Sequence, residues 1–411
     1  MRIQLKSPLH ISVPELGKYI PNSRSSANSI YDKTNFHSIL MMSEKVEGGY
    51  TEIDTYLEFE EFAKIINQIP LSLTKDLILA LGKAGYELPK LYQVALEKNE
   101  VEIVERLLEK KADPNEKHNF HPTFFIDAIY RKREKLTLLL LKHKADIHQL
   151  TSSPYSLTPL MIAAWTDQPE IVRALLEEKS DPGLVGEKGH TALYMAVQSR
   201  SLDLVKTILG KKIDSNQPVG DESPLCLAVR NNDIEIVKTL VSHQADIELA
   251  SGKYTPLILA LLHENPKIAE YLIEKKANCT DPKVIIYASD NANADLIEKI
   301  LAEKADINAR SQDEAGMTAL MYAASKGGVN IVKKLLEKNA NLLAETKLEK
   351  KTALHFAVEE GYSQVVAELI EKKSNINAEC KVGRALQLAM QKNQPAIVEM
   401  LLKAGADTNI K

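Results

Sequence analysis

Tryptophan occurs once in 411 residues, cysteine three times, and aromatic residues together make up only 5%. Each shortage excludes something. Cys226, Cys279 and Cys380 are far apart and form no CxxC pair, so neither a disulfide framework nor a zinc ribbon is readable, and a reducing compartment is expected. No apolar run approaches the ~20 residues of a membrane span. The start, Met1 to Pro8, lacks the apolar core of a secretory signal. A soluble chain is predicted. An excess of one charge is also missing: 52 basic residues stand against 56 acidic ones, a net of −4. With no basic tract, nucleic acid and anionic membrane are not the expected partners. Absent too are a phosphate-binding glycine loop with its lysine, a GxSxG elbow and HExxH. No catalytic residue, metal ligand or cofactor site is therefore nominated, and the chain reads as non-enzymatic.

What is present is repetition. The stretch Gly316 to Asn341 reads as two short antiparallel helices. Thr318 is placed to cap the first, and Ala319, Ala323 and Ala324 let a second helix approach closely. Gly327-Gly328 breaks the first helix, and Ile331, Val332, Leu335 and Leu336 line one face of the next. One such pair cannot bury its apolar face alone and needs neighbours. Copies of the first-helix signature start at Lys90, Thr123, Thr158, Thr191, Ser223, Thr255, Lys283, Thr318, Thr352 and Arg384. Their mean spacing is about 33 residues. A second signature in phase with the first closes units as Ala112-Asp113-Pro114-Asn115, Ala305-Asp306-Ile307-Asn308 and Ala406-Asp407-Thr408-Asn409.

From about residue 88 onward this chain resembles the ankyrin-repeat family. The resemblance implies an all-α solenoid of helix-turn-helix units with β-hairpin fingers, about ten repeats plus a helical N-terminal cap. Three segments are expected: a non-repeat arm at 1–50, a helical cap or degenerate repeat at 51–88, and the repeat domain at 89–411. The cap is read as an amphipathic helix through Ile53, Tyr56, Leu57 and Phe59. Two fingers are expected to depart from the pattern. Between Asn278 and Lys283 too few residues remain for a hairpin, whereas Ile147 to Leu157 is a long linker. The family places Gly in the left-handed turn after each second helix. Here the ten residues are Lys111, Lys144, Lys179, Lys212, Gln244, Lys276, Lys304, Asn339, Lys373 and Gly405. A less stable array than one capped by Gly is expected.

Among the histidines, His118 and His121, with His143 and His148, come nearest to a metal set, and the favoured reading is surface histidines without a role. His355 matches the family's TxLHxA pattern, in which the imidazole supports the turn. If the surface carries the function, the family resemblance points to the ends of the first helices and to the fingers. Seven residues past each signature start lie Glu97, Tyr130, Trp165, Gln198, Arg230, Leu262, Asp290, Ser325, Glu359 and Gln391. Aromatics and Arg dominate interface hot spots. The expected partner-binding set is Tyr130, Arg131, Tyr155, Trp165, Arg230, Tyr254 and Leu262, centred on Trp165, with partly buried packing as the rival reading for that tryptophan.

The segment ending at Asn308 also looks like the hairpin that asparaginyl hydroxylases modify in eukaryotic ankyrin proteins, and Asn377 sits in a similar one. The plainer reading is that each asparagine caps its own turn. Divergent repeats rich in Lys, Asn and Ile, behind a non-repeat N-terminal segment, resemble the ankyrin effectors of intracellular bacteria. That resemblance implies a monomer secreted into a host cell's cytoplasm, where it binds a host protein. Two alternatives stay open: a cytoplasmic adaptor in its own cell, and an enzyme that uses residues 1–88.

Overall fold

The computed structural model describes residues 2–4, 56–58 and 88–408, except 110, 119–120, 152–155 and 291–292. Two compact units divide the chain, Met1–Asp181 and Pro182–Lys411. In the first, strands β1 (Arg2–Gln4) and β2 (Tyr56–Glu58) pair antiparallel, with Ile3 opposite Leu57. The helix expected through Ile53, Tyr56 and Leu57 is therefore replaced at 56–58 by extended chain. Its partner strand lies some fifty residues away in sequence, where a local helical period gives no sign of it. The rest of the expected cap, 59–87, lies outside the described residues.

The repeats of this unit are three helix pairs. They are α1 (Leu88–Lys98) with α2 (Val101–Glu109), α3 (Phe124–Tyr130) with α4 (Glu134–Lys142), and α5 (Pro159–Trp165) with α6 (Pro169–Glu177). The second unit holds seven more. They are α7 (Ala192–Gln198) with α8 (Leu202–Leu209), α9 (Pro224–Arg230) with α10 (Ile234–Ser242), and α11 (Pro256–Leu262) with α12 (Pro266–Glu274). Then follow α13 (Pro282–Asp290) with α14 (Ala294–Ala302), and α15 (Ala319–Ser325) with α16 (Val329–Glu337). Last come α17 (Ala353–Glu359) with α18 (Ser363–Glu371), and α19 (Ala385–Gln391) with α20 (Pro395–Lys403). Within this unit each first helix packs on the next first helix, and each second helix on the next second helix. Ten pairs among the described residues match the all-α repeat count expected from the spacing.

Local chemistry explains why the signature starts where it does. The hydroxyls of Thr158, Thr191 and Ser223 accept the N–H three residues on, at 3.2, 3.1 and 3.2 Å. From Thr318 onward the third helical residue reaches back instead. Met321 Sδ accepts the Thr318 N–H at 3.4 Å, His355 Nδ1 that of Thr352 at 3.1 Å, and Gln387 Oε1 that of Arg384 at 2.7 Å. At Thr318 the back-bond in which the Met321 thioether accepts the Thr318 N–H therefore marks the helix start. Inside, Ala319, Ala323 and Ala324 are fully buried, as are Leu335 and Val332 on α16, the helix packed against α15. Gly327 (φ +72) closes α15, and a Cβ there would sit 2.7 Å from the Tyr362 ring.

All ten residues after the second helices are left-handed, from Lys212 at φ +56 to Gly405 at φ +90. Lysine holds this turn partly through its charge. Lys144 Nζ pairs with Glu178 Oε2 at 2.9 Å, and Lys276 Nζ with Glu303 Oε1 at 2.7 Å, each Glu preceding the next turn lysine. Such exposed pairs contribute less than about 1 kcal/mol, while the left-handed backbone costs a non-Gly residue about 1 kcal/mol. Lys304→Gly should therefore raise the urea midpoint, and Lys276→Gly should raise it less. An unchanged midpoint for Lys304→Gly would show that the turn is not strained.

A second role for the turn sequence was not legible. Asp306 Oδ1 accepts the Asn308 N–H at 2.9 Å, and Asn308 Oδ1 in turn accepts the Asn341 N–H of the next repeat at 2.7 Å. Asn216 does the same for Asp246 at 2.7 Å and Asn377 for Asp407 at 2.8 Å. The motif thus joins one turn to the next as well as shaping its own.

Candidate functional site

Each first helix from α3 onward ends on the residue that lies seven past its signature start, so the expected row is real as a series of helix ends. In the first unit, Trp165 closes α5 and remains 45% exposed. Its edge meets Tyr130, the last residue of α3, with ring centroids 6.3 Å apart and planes at 89°. The ring thus rests on a neighbouring repeat while nearly half of it faces solvent. Tyr130 is half-buried, and Tyr155 lies outside the described residues.

Beneath these rings lies a feature the sequence reading passed over. Asp127 on α3 is 1% exposed, in a helix whose other core positions are apolar. Arg131 Nε donates to its Oδ1 at 2.8 Å, and Arg133 Nη1 stands 3.7 Å from Oδ2. His118 and His121 bring Nε2 atoms to 3.8 and 3.7 Å of Oδ1. His121 also stacks on Tyr130 with centroids 4.7 Å apart, and His118 lies edge-on to Phe124 at 4.7 Å. The reading of both as idle surface histidines is corrected: the His118 side chain is largely covered and that of His121 partly so, and both rings stand between the carboxylate and the aromatics. Burial pulls the His118 imidazole below its ordinary value, with Asp127 opposing the shift. His143 and His148 take no part. They lie at the end of α4 and in the next turn, where His148 N donates to Asp146 Oδ1. Among the described residues no group of three His, Cys, Asp or Glu is arranged to hold a metal ion.

The sequence did carry a signal for Asp127. It stands four past its signature start, where the later units place Ile162, Met195, Leu227, Leu259, Tyr287, Tyr322, Phe356 and Leu388. A lone charge in that apolar column marks a buried ion pair. Arg133 is held from the far side as well, donating to Leu96 O at 2.8 Å and Glu97 O at 3.0 Å, carbonyls at the end of α1. Ion pair, imidazoles and rings therefore form one rigid block.

In the second unit the expected residues sit differently. Arg230 ends α9 and pairs with Glu222, whose other oxygen accepts the Tyr194 hydroxyl at 2.9 Å. Leu262 ends α11 and is 42% exposed. Tyr254 closes a finger through its bridge to Ser251, and its phenol lies near that of Tyr287. Apolar side chains the sequence reading did not single out stand exposed on later fingers, Leu348 and Val382 among them. The three cysteines are buried free thiols, and burial raises Cys226, Cys380 and Cys279, the last to about 11. That is opposite to the activation a nucleophilic thiol needs. His355 is fully buried with its Nδ1 spent on the Thr352 cap, so its place is structural.

Stacked helix pairs with a buried interior and side chains displayed at the helix ends define a repeat protein of the protein-interaction class. The chain belongs to the ankyrin-repeat family. The family described as "Ankyrin repeats (3 copies)" matches residues 91–185, 125–219, 193–283, 284–380 and 342–411. Among curated proteins, alpha-latrocrustotoxin-Lt1a of Latrodectus tredecimguttatus is 30% identical over 98 residues. That stretch is 24% of this chain and spans only 7% of the toxin. Among solved structures, the human ASB11 ankyrin repeat domain is 21% identical with a TM-score of 0.46, the match covering 53% of this chain and 97% of that one. No helix among the described residues is long and apolar enough to cross a membrane.

Proposed function

We propose that this chain is a non-catalytic recognition scaffold whose protein partner docks on the face carrying Trp165, Tyr130 and Arg131. The observation that carries the reading is the posture of Trp165, a large ring fixed against Tyr130 yet 45% exposed. A rigid aromatic loses little conformational entropy on binding, and Trp, Tyr and Arg lead the residue types found in hot spots. Within the second unit, Arg230, Tyr254 and Leu262 form a separate candidate contact set. Trp165→Ala should weaken partner capture by about 2 kcal/mol or more while leaving the thermal midpoint nearly unchanged. Unfolding without a specific binding defect would overturn the reading.

The finer reading is an effector of an intracellular bacterium that binds a host protein in the host cytoplasm, supported by the Lys-, Asn- and Ile-rich, nearly Gly-free turns. Expression under native secretion conditions, with the protein tracked in host-cell cytoplasm, tests it, and retention in the producing cell would favour the adaptor alternative. The division into an arm at 1–50, a cap at 51–88 and an array at 89–411 belongs to the same proposal. Asn308 and Asn377 are both exposed, so a hydroxylase could reach them. Mass spectrometry after hydroxylase treatment would show a one-oxygen gain at those residues, and an unchanged mass would dismiss the modification.

A further inference from the structure

The finger layer of the second unit has a gap that its helix layer does not share. Fingers close at Val219–Glu222, Ser251–Tyr254, Arg310–Thr318 and Glu379–Arg384. Neighbouring tips are joined by backbone bonds: Gly220 N donates to Lys188 O at 3.1 Å, Lys347 N to Ala315 O at 3.0 Å, and Lys381 N to Glu349 O at 3.0 Å. Between α12 and α13 no such hairpin forms. Residues 277–281 make only a tight turn, in which Asn278 Oδ1 accepts the Thr280 N–H and Asp281 Oδ1 the Lys283 N–H. Yet α13 still packs between α11 and α15 as any first helix does. One finger is missing from an otherwise continuous stack, which leaves open about 10 Å of helix face, one interaxial step.

The residues bordering the opening are unlike those elsewhere. Tyr287 on α13 lies close enough to Tyr254 on the preceding finger and to Tyr322 on α15 for their phenols to influence one another. The Tyr322 hydroxyl reaches Asp313 Oδ2 at 3.4 Å, on the finger that follows. Asp313 is exposed and fixed, its carboxylate accepting from Ser311 Oγ at 2.7 Å and from Gly316 N at 2.9 Å. These bonds hold its carboxyl below the usual range, so it stays ionised. Glu314 adds a second exposed acid, while Lys283 is turned onto Asp281 at 3.6 Å and Arg310 is spent on Gly316 O and Glu345 O. The opening thus presents three half-buried phenol rings and a preset carboxylate.

We propose that this opening receives an extended, arginine-bearing segment of a partner protein, which takes the place of the missing finger and lays a guanidinium on Tyr287 and Tyr322 against Asp313. Arginine fits for two reasons. Its planar cation stacks on aromatic faces, and its fork pairs with a fixed carboxylate. An extended backbone matches the strand geometry of the flanking fingers. The inference rests on the recognition reading above but shares only Tyr254 with it, and its test is independent of Trp165.

The probe is a short, end-blocked peptide of alternating arginine and threonine, titrated against the full chain by fluorescence anisotropy beside lysine and glutamate counterparts. The arginine peptide should bind best and the glutamate peptide worst. Asp313→Asn and Tyr287→Leu should each weaken the arginine peptide by about tenfold, while Trp165→Ala leaves it unchanged. Because Tyr287→Leu alters packing, a third variant inserts a copy of the Glu379–Arg384 hairpin between Cys279 and Thr280. It should fill the opening, abolish peptide binding and keep the fold by circular dichroism. Equal binding of the three peptides, or arginine binding that survives both Asp313→Asn and the inserted hairpin, would overturn the proposal. So would self-association of the unmodified chain that the inserted hairpin abolishes, because the occupant would then be a second copy. If the peptide fails and Trp165→Ala still loses its partner, this inference falls and the recognition reading stands.

Discussion

Asp127→Ala should lower the free energy of unfolding by about 3 kcal/mol or more, the usual loss when one member of a buried ion pair is removed. The carboxylate is 1% exposed and lies within reach of two guanidiniums and two imidazoles. Without it, Arg133 keeps its carbonyl partners Leu96 and Glu97 but loses its counter-charge while largely buried. Arg131 suffers less, since its side chain is already half in water. The other repeats suggest the repair. Where this unit has Asp127 and Arg133, the next has Ile162 and Gln168, and Gln168 Nε2 donates to Ile129 O at 2.8 Å. The double variant Asp127→Leu, Arg133→Gln should therefore recover most of the loss, as when buried ion pairs are replaced by packed apolar groups. Urea denaturation of both variants checks this. A single variant as stable as the parent would show that the pair is not effectively buried.

His355 gives the second large effect. His355→Ala should cost about 2 kcal/mol or more, combining a lost cap with a cavity at a fully buried site. His355→Gln should cost far less, because Gln387 makes the same back-bond one repeat later at 2.7 Å. The two also differ from the parent in acid. Burial holds the His355 imidazole below its ordinary 6.5, and backbone acceptors only partly oppose the shift. Above about pH 6.5 both folded and unfolded chains carry neutral imidazole, and the stability from this site is fully present. As the pH falls below that value, the unfolded chain takes up a proton that the folded chain refuses. Stability is lost progressively until the depressed folded value is passed. His118, shifted in the same direction, adds to the effect. The thermal midpoint of the parent should thus fall between pH 7 and pH 5, and His355→Gln should flatten that slope while lowering the midpoint at pH 7 far less than His355→Ala does. An unchanged slope would mean that His355 is not the group taking up the proton.

These two residues mark how far a single sequence reaches. His355 was legible, because TxLHxA places it at a fixed helical position and its partner Thr352 is three residues away. The ten left-handed turns were legible for the same reason, and so was the missing finger before Lys283, where chain length alone decides. Asp127 was not read, although it interrupts an apolar column, because its partners lie on the preceding finger and at the start of the second helix. Which of several nearby cations converge on one carboxylate depends on side-chain paths that periodicity does not fix. The strand at Tyr56–Glu58 failed for a related reason: its partner Arg2–Gln4 is remote, and pairing overrode the local helical period. In the recognition row, helix ends were placed correctly, but exposure was not. Tyr130 and Tyr254 are half-buried, while Leu348 and Val382, outside that row, stand out on their fingers.

The absent finger also bears on how the second unit answers to force. In a linear array, load passes from each repeat to the next through a nearest-neighbour contact, and the weakest contact yields first. At three other junctions tip-to-tip backbone bonds, such as Lys347 to Ala315, reinforce the helix contacts. Across the junction between α12 and α13 no finger contributes, and the helices carry the load with the Asn278 N bond to Glu248 and the ion pairs Lys276–Glu303 and Lys299–Glu270. Pulled from its ends, the unit should crack there, parting into two short stacks before either one unravels.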